Sequence, residues 1–129
     1  MKKSTKIIMV ILTIVVLLSI GSTAFARDIA RIDKTVGTGG WEGSTWMYKQ
    51  NSHNVPAVMF IESTPIKLQG TLYNTATEAC VGYQNFDRRE RRECYWTYDH
   101  GQPGYRYFAS LVSRTGSGYV TSSHCPDAY

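Results

Sequence analysis

Four arginines lie close together in the second half of the chain and could hold an acidic partner. Residues 87 to 93 read Asp-Arg-Arg-Glu-Arg-Arg-Glu. Guanidinium groups bind carboxylates and phosphates through paired hydrogen bonds, so a phosphate-bearing wall polymer is a candidate ligand. Three acids interleave with the arginines, and the same pattern also fits a solvated turn that discourages edge pairing between sheets. The arginines concerned are Arg88, Arg89, Arg91 and Arg92.

Aromatic side chains follow these arginines and could form a binding face. Exposed tyrosine and tryptophan rings stack on sugar rings or on a peptide. The same residues at strand spacing also fit a hydrophobic core with cross-strand pairs. The aromatic candidates for ligand binding, together with the four arginines, are Trp96, Tyr98, Tyr105 and Tyr107.

Groups capable of catalysis are present, but their spacing forms no recognisable motif. Paired carboxylates of a glycosidase would have to be brought together by the fold; the carboxylates concerned are Glu62, Glu78 and Asp99. The three histidines lie next to turns or near the end of the chain, where a solvated role is typical; they are His53, His100 and His124. Cys125 follows a histidine directly, but adjacent residues of an extended chain point apart. No Cys-x-x-Cys or His-x-x-x-His spacing indicates a metal. We therefore assign no catalytic residue, metal or cofactor; these observations favour a protein that is not an enzyme, and a small hydrolase is the alternative.

Three cysteines could close one disulfide and leave one thiol. If the segments on either side of Asp87 form a hairpin, Cys80 and Cys94 lie opposite each other at the same distance from the turn. A directly opposed antiparallel pair brings side chains close enough for a disulfide. The alternatives pair Cys125 with one of the other two. With Cys80 and Cys94 joined, Cys125 could link two copies of the chain into a homodimer.

The elements that must position these groups are short β-strands. Runs rich in Tyr, Trp, Phe and Val, separated by Gly, Pro and Asn, predict strands of four to ten residues. Three of them form a predicted β-meander that would be the folding core, at 78–84, 93–99 and 105–114. The other predicted strands are at 45–50, 55–62, 66–73 and 119–123, with an arm or edge strand within 27–36.

The glycines add two expectations. Gly70 interrupts an alternating strand and is a candidate β-bulge. Residues 37–44 contain four glycines and are expected to form a flexible loop.

This pattern predicts an all-β fold. About seven strands joined by short turns, without an amphipathic helix after Ala26, indicate a small antiparallel β-sandwich. A small closed β-barrel is the alternative.

Residues 1–26 have the pattern of a secretory signal peptide. A basic head precedes an apolar run from 7 to 18 and the small-residue ending Ala24-Phe25-Ala26. Cleavage after Ala26 would leave 27–129 as one secreted β-rich domain. An uncleaved anchor is the alternative, since the uncharged stretch is just long enough to span a bilayer.

Charge limits the classes of partner. Three of the 14 basic residues lie in the signal-like segment and all 10 acidic residues follow it, so the mature chain would carry a net charge of +1. A near-neutral protein has no long-range attraction to phosphate, so we expect no nucleic-acid partner. We expect no stable membrane insertion after cleavage.

Two short segments carry a resemblance. Gly39-Gly40-Trp41 and Ser44-Thr45-Trp46-Met47-Tyr48 resemble the Gly-Gly-Thr-Trp start of small lactococcin-like β-sandwich bacteriocins. The resemblance implies a small secreted antimicrobial sandwich. The cysteines and the arginine-rich segment depart from that pattern, and we assign no family.

These observations support three hypotheses about function. The first is a secreted, non-enzymatic β-sandwich that binds a cell-envelope component or an extracellular protein. The second is a bacteriocin-like or toxin-type effector, for which export and small size are equally natural. The third is a small extracellular hydrolase.

Overall fold

The computed structural model describes residues 27–74 and 78–128. The predicted signal segment 1–26 therefore lies outside the described residues. Within them there are nine β-strands and no helix, so no helix is available to span a membrane. The strands are β1 (Ala30–Val36), β2 (Glu42–Gly43), β3 (Met47–Tyr48), β4 (Ala57–Ser63), β5 (Leu68–Tyr73), β6 (Gln84–Phe86), β7 (Glu90–Cys94), β8 (Arg106–Ser113) and β9 (Gly118–Cys125).

The strands form two antiparallel sheets, which confirms the predicted β-sandwich. The four-stranded sheet has the order β1-β9-β4-β7. The five-stranded sheet has the order β2-β8-β5-β6, with β3 also paired to β8. Neither sheet closes into a barrel. The predicted edge strand near the start of the domain is confirmed as β1, at the edge of the four-stranded sheet.

The core lies between the sheets and follows from alternation along the strands. On β4, Met59 and Ile61 are buried, and on β8 the buried side chains include Tyr107 and Leu111. Because successive side chains of a strand point to opposite faces, one face of each sheet supplies the core and the other faces outward. Burial of each large apolar side chain contributes about 1.5 to 3 kcal/mol of transfer free energy.

The predicted β-meander is wrong. Most of the first predicted segment forms only isolated bridges, and β6 begins at its end with Gln84. Strand β6 pairs with β5 in one sheet, whereas β7 pairs with β4 in the other. The arginine-rich segment is not a turn throughout, because from Glu90 onward it pairs with β4, opposite Ile61. The chain therefore crosses between the sheets here instead of forming a hairpin.

Gly70 is not a bulge. Strand β5 keeps a continuous register with both neighbours, and the irregularity lies in β4 between Ile61 and Ser63. Gly70 points into the core, where an added Cβ would lie 2.7 Å from Met59 Cε and 2.8 Å from Leu111 Cδ2. The glycine therefore marks a close approach of core side chains to the β5 backbone. The glycine-rich segment expected to be a loop contains the short strand β2.

A buried ion pair fixes the end of the described chain to the loop after β3. Lys49 Nζ lies 2.6 Å from Asp127 Oδ1, and both side chains are excluded from solvent. Lys49 also donates to the carbonyls of Val55 and Pro126, and Asp127 accepts from the backbone N–H groups of Gln50 and Asn51. Because all these polar groups are paired, the ions can be buried at this position.

Candidate ligand-binding surface

Two aromatic residues predicted to bind ligand belong to the core instead. Trp96 is 8% exposed and Tyr107 is 1% exposed, and their ring centroids are 4.5 Å apart. Trp96 Nε1 donates to the Val55 carbonyl, and Tyr107 Oη accepts from the Gly101 N–H. These two rings therefore fill the core, as the alternative interpretation of aromatic residues at strand spacing predicted, and do not form part of an exposed face.

The other two predicted aromatic residues are exposed. Tyr98 is 92% exposed and Tyr105 is 61% exposed. Strict alternation would put Tyr98 on the inner face with Cys94 and Trp96, which are buried. Tyr98 has a φ of 50°, so the backbone leaves the extended path there and the alternation ends. Among the described residues, no other ring contacts Tyr98 or Tyr105.

The four arginines do not form one cationic site. Arg88 and Arg89 lie on the turn between β6 and β7, and the Arg89 guanidinium is 5.3 Å from the Phe60 ring centroid. Arg91 is paired loosely with Glu93 at 3.7 Å. Arg92 lies over the Phe86 ring and pairs with Glu90. This turn adjoins the Leu68 end of β5, at the opposite end from Tyr73.

The predicted Cys80–Cys94 disulfide is absent from the structure. Cys80, Cys94 and Cys125 are all buried free thiols. The carbonyl of Cys80 accepts from the Thr97 N–H, so Cys80 is aligned with Thr97 and not with Cys94. The Cys125 Sγ atom donates to the Asp127 carbonyl at 3.1 Å, and this residue is only 7% exposed. A dimer linked through Cys125 stays a prediction.

The fold brings only some of the candidate catalytic groups together. Glu78 Oε1 lies 3.1 Å from His100 Nε2, next to Asp99, and His53 Nδ1 contacts the His100 carbonyl. Glu62 lies elsewhere, on the outer face of the four-stranded sheet, held by the Arg31 guanidinium. Arg31 lowers the pKa of Glu62 through these hydrogen bonds. In residues 27–74 and 78–128, no group of three His, Cys, Asp or Glu side chains is arranged to hold a metal ion.

His124 is buried in the core and contacts a serine. Its Nε2 atom lies 2.7 Å from Ser122 Oγ, which also lies 3.3 Å from the Ile32 carbonyl oxygen. Nδ1 has no hydrogen-bond partner among the described residues. Burial lowers the pKa of His124 to about 3, because the imidazolium ion would lose its hydration there. A solvated role, predicted from its position near the terminus, was wrong.

Five other aromatic side chains form a connected surface on the outer face of the five-stranded sheet. We call this set the aromatic surface; it consists of Trp41, Trp46, Tyr73, Tyr83 and Phe108. Tyr73 on β5 is opposite Phe108 on β8, and their ring centroids are 5.6 Å apart. Both point away from the core because they alternate with the buried Leu72 and Tyr107.

Two tryptophans flank this pair of rings. The Trp46 ring lies 4.9 Å from that of Phe108, with an angle of 83° between the planes. The Trp41 ring lies 6.1 Å from that of Tyr73, at 90°. Trp41 is 40% exposed and Trp46 is 43% exposed. Edge-to-face contacts fix the rings relative to one another while part of each indole stays open to solvent.

Polar groups lie beside the rings. The Tyr73 and Tyr83 hydroxyls are 3.5 Å apart, and the Arg106 guanidinium is 4.3 Å from the Trp46 ring centroid. Partial burial, with the neighbouring Tyr83 hydroxyl, raises the pKa of Tyr73 to about 12, so its hydroxyl keeps its proton at neutral pH. The surface thus combines apolar ring faces with hydroxyl and guanidinium donors.

The sequence does contain a signal for this surface, which is the alternation of residues along β5 and β8. Aromatic residues grouped by their proximity along the chain do not show it. Period-two alternation separates Tyr73 from Leu72 and Phe108 from Tyr107, and so divides outward rings from core rings. The contribution of Trp41 could not be found this way, because it lies in the glycine-rich segment before the two-residue strand β2.

Comparison with known proteins adds no functional information. No family model matches the chain, and neither a curated protein nor a solved structure shows significant similarity to it. The class that the structure itself defines is a small two-sheet β-sandwich.

Proposed function

We propose that this protein is a secreted, non-enzymatic β-sandwich that binds a component of the cell envelope or of the extracellular medium through its aromatic surface. The observation that supports this most is the placement of two part-exposed tryptophans on either side of the Tyr73–Phe108 pair. Contiguous exposed apolar groups on a soluble domain typically mark an interaction site. The rings are fixed by their mutual contacts, so little conformational entropy would be lost when a ligand binds.

A glycan chain is the ligand class that this chemistry favours. A sugar ring has an apolar C–H face that can lie on an aromatic ring, and hydroxyl groups at its edge that need polar partners. The Tyr73 and Tyr83 hydroxyls and the Arg106 guanidinium are partners of this kind. Nucleic acid is disfavoured, because the predicted mature chain carries a net charge of only +1.

The proposed site differs from the one predicted from the sequence. Trp96 and Tyr107 are in the core, and the turn bearing Arg88 and Arg89 lies at the far end of β5 from Tyr73. A ligand on the aromatic surface would therefore not need the arginine-rich turn. The turn is available for a separate contact with an acidic partner.

Co-sedimentation with intact bacterial envelopes tests the proposal, with surviving cells counted in the same tubes. We expect the purified protein to pellet without killing, and the double variant Trp41→Ala/Trp46→Ala to stay in the supernatant. A matched control replaces two exposed tyrosines outside the aromatic surface, Tyr95 and Tyr119, with alanine and should pellet normally. The variant Arg88→Ser/Arg89→Ser should also pellet.

Other outcomes of this experiment favour the other hypotheses. Loss of cell survival would support the bacteriocin-like effector. A protein that stays in solution over living cells would point to a soluble partner or substrate and contradict envelope binding. Equal pelleting of the double tryptophan variant would exclude the aromatic surface as the site, provided that its melting temperature shows it is folded.

A further inference from the structure

A second concave site lies on the outer face of the four-stranded sheet, on the side of the sandwich away from the aromatic surface. Its cavity has a volume of about 230 Å³. The floor consists of outward-facing residues on two adjacent strands, where Val58 is opposite Cys125 and Phe60 is opposite Ser123. The walls are formed by residues 27–29, just before β1, and 127–128, after β9, with Ile29 and Ala128 lining the cavity.

Apolar side chains line part of the pocket beside its polar groups. Val58 is almost fully buried and Phe60 is half-buried, while Ile29 is exposed beside them. The cavity is smaller than the roughly 300 to 1,000 Å³ of sites for drug-sized molecules. A ligand here would therefore be small and would place an apolar body against Phe60 and Val58.

Two arginines line the same pocket. Arg27 is oriented by hydrogen bonds from Nη1 to the carbonyls of Ala128 at 2.8 Å and Asp127 at 3.4 Å. Among the described residues, none accepts a hydrogen bond from its Nε or Nη2. Within 27–74 and 78–128, the contact that Arg91 makes with a carboxylate is the 3.7 Å one with Glu93. Both guanidinium groups therefore keep donors that a ligand could use.

The carboxylates near the pocket have partners among the described residues, and Asp28, whose charge acts on the lining residue Cys125, accepts from the Tyr48 N–H. The one carboxylate among the lining residues, Asp127, is occupied by Lys49. Glu93 borders Val58 and is balanced by Arg91, while Arg89 lies over the Phe60 ring. Glu62 accepts from Ser123 but is held by Arg31 at 2.7 Å, and Arg31 also binds Asp33.

From this combination we propose that the pocket binds a small carboxylate carried on an apolar body, with the carboxylate between Arg27 and Arg91 and the apolar part on Phe60 and Val58. The proposal does not depend on the function assigned to the aromatic surface. It rests on charge complementarity and on the size of the cavity, both on a different face of the protein.

Titration of the ¹⁵N-labelled protein with hexanoate, followed by amide chemical shifts, tests the proposal. We expect saturable shifts at Val58, Ser123 and Cys125, and binding of neutral hexanol at least tenfold weaker. Arg91→Gln should weaken hexanoate binding by about three- to tenfold, since an exposed charge contributes modestly. Arg88→Gln removes an equal charge from the nearby turn and should leave the affinity unchanged.

A second variant keeps the test decisive. Val58→Phe should fill the floor of the pocket and abolish the saturable shifts in a protein whose spectrum is otherwise folded. The proposal would be overturned by shifts that do not saturate or that are confined to other regions. It would also be overturned by equal binding of hexanol and hexanoate, or by undiminished binding in both Arg91→Gln and Val58→Phe.

Discussion

Lys49 and Asp127 form an ion pair from which water is excluded. The side chains are 0% exposed and the two charged atoms are 2.6 Å apart. The Lys49 Nζ atom also lies 5.4 Å from the Trp96 ring centroid, so the pair contacts the core as well as the end of the described chain. Removal of one partner would leave the other charge buried without compensation, which costs more than the net contribution of the intact pair.

We therefore predict that Lys49→Met lowers the free energy of unfolding by about 3 to 5 kcal/mol. Urea denaturation at pH 7 measures the change. The double variant Lys49→Met/Asp127→Leu should recover part of the loss, because it removes both buried charges. As a control, Arg114→Gln breaks an exposed pair with Asp87 and should change stability by less than about 1 kcal/mol. A similar small effect of Lys49→Met would show that the ion pair is not buried in solution.

Because His124 is buried, we predict that the free energy of unfolding falls in mild acid. The pKa of His124 is lowered to about 3 in the folded protein and is about 6.5 in an unfolded chain. Between pH 3 and pH 6.5 the unfolded state binds more protons at this histidine than the folded state does. The stability contributed by the neutral, buried imidazole is therefore complete above pH 6.5 and is lost as the pH falls toward 3. Between pH 6.5 and 4.5 the loss is on the order of 2 kcal/mol. Urea midpoints at several pH values should show it.

The matched variant for this prediction is His124→Gln. Glutamine can hydrogen-bond Ser122 but does not titrate in this range, so the variant should show a smaller loss of stability between pH 6.5 and 4.5. An unchanged pH dependence in the variant would contradict the assignment of the effect to His124.

The cysteines give a third prediction at this scale. Burial raises the pKa of Cys80 and of Cys94 to about 11, so the reactive thiolate forms rarely at neutral pH. A disulfide reagent should therefore modify the native protein slowly and should detect three thiols after denaturation without reductant. Detection of a single thiol in the denatured protein would mean that two of the cysteines are joined.

At the scale of elements, alternation and turn residues were sufficient for the fold class but not for strand pairing. The sequence predicted strands close to β4, β5, β8 and β9, because apolar runs bounded by Gly, Pro and Asn are strong local signals. It did not predict that β6 and β7, on either side of the arginine-rich turn, pair with strands of different sheets. Which sheet receives β7 depends on the free edge of β4, and no local pattern contains that information.

The turn between Trp96 and β8 is an element with a specific conformational requirement. Gly101 has a φ of +83° and would place an added Cβ against the Trp96 indole ring. We predict that Gly101→Ala destabilises the protein by at least about 1 kcal/mol, because alanine is strained at positive φ and has no space there. Thermal unfolding measures the effect.

Gly104 supplies the control for this turn. It also has a positive φ, of +86°, but apart from its chain neighbours no described residue places a heavy atom within 4 Å of its added Cβ. Gly104→Ala therefore carries the backbone strain without the contact, and should destabilise less than Gly101→Ala. Equal effects would show that contact with Trp96 does not contribute.

At the scale of the whole molecule, the sandwich presents two outer faces with different chemistry. The five-stranded sheet carries the aromatic surface, and the four-stranded sheet carries the pocket lined by Arg27 and Arg91. The sequence predicted that aromatic and arginine side chains would be the functional groups. The sequence pattern placed the aromatic and arginine side chains together in one predicted meander, because separation along the chain does not reveal which sheet a strand joins.

We propose that the aromatic surface holds a glycan chain. The most direct measurement is amide chemical-shift mapping of the ¹⁵N-labelled protein with soluble fragments of envelope polysaccharide. We predict saturable shifts at Gly43, Tyr73 and Phe108, together with changes in the Trp41 and Trp46 indole N–H signals. Saturable shifts confined to the arginine-rich turn or to the pocket on the four-stranded sheet, with these signals unmoved, would contradict the claim.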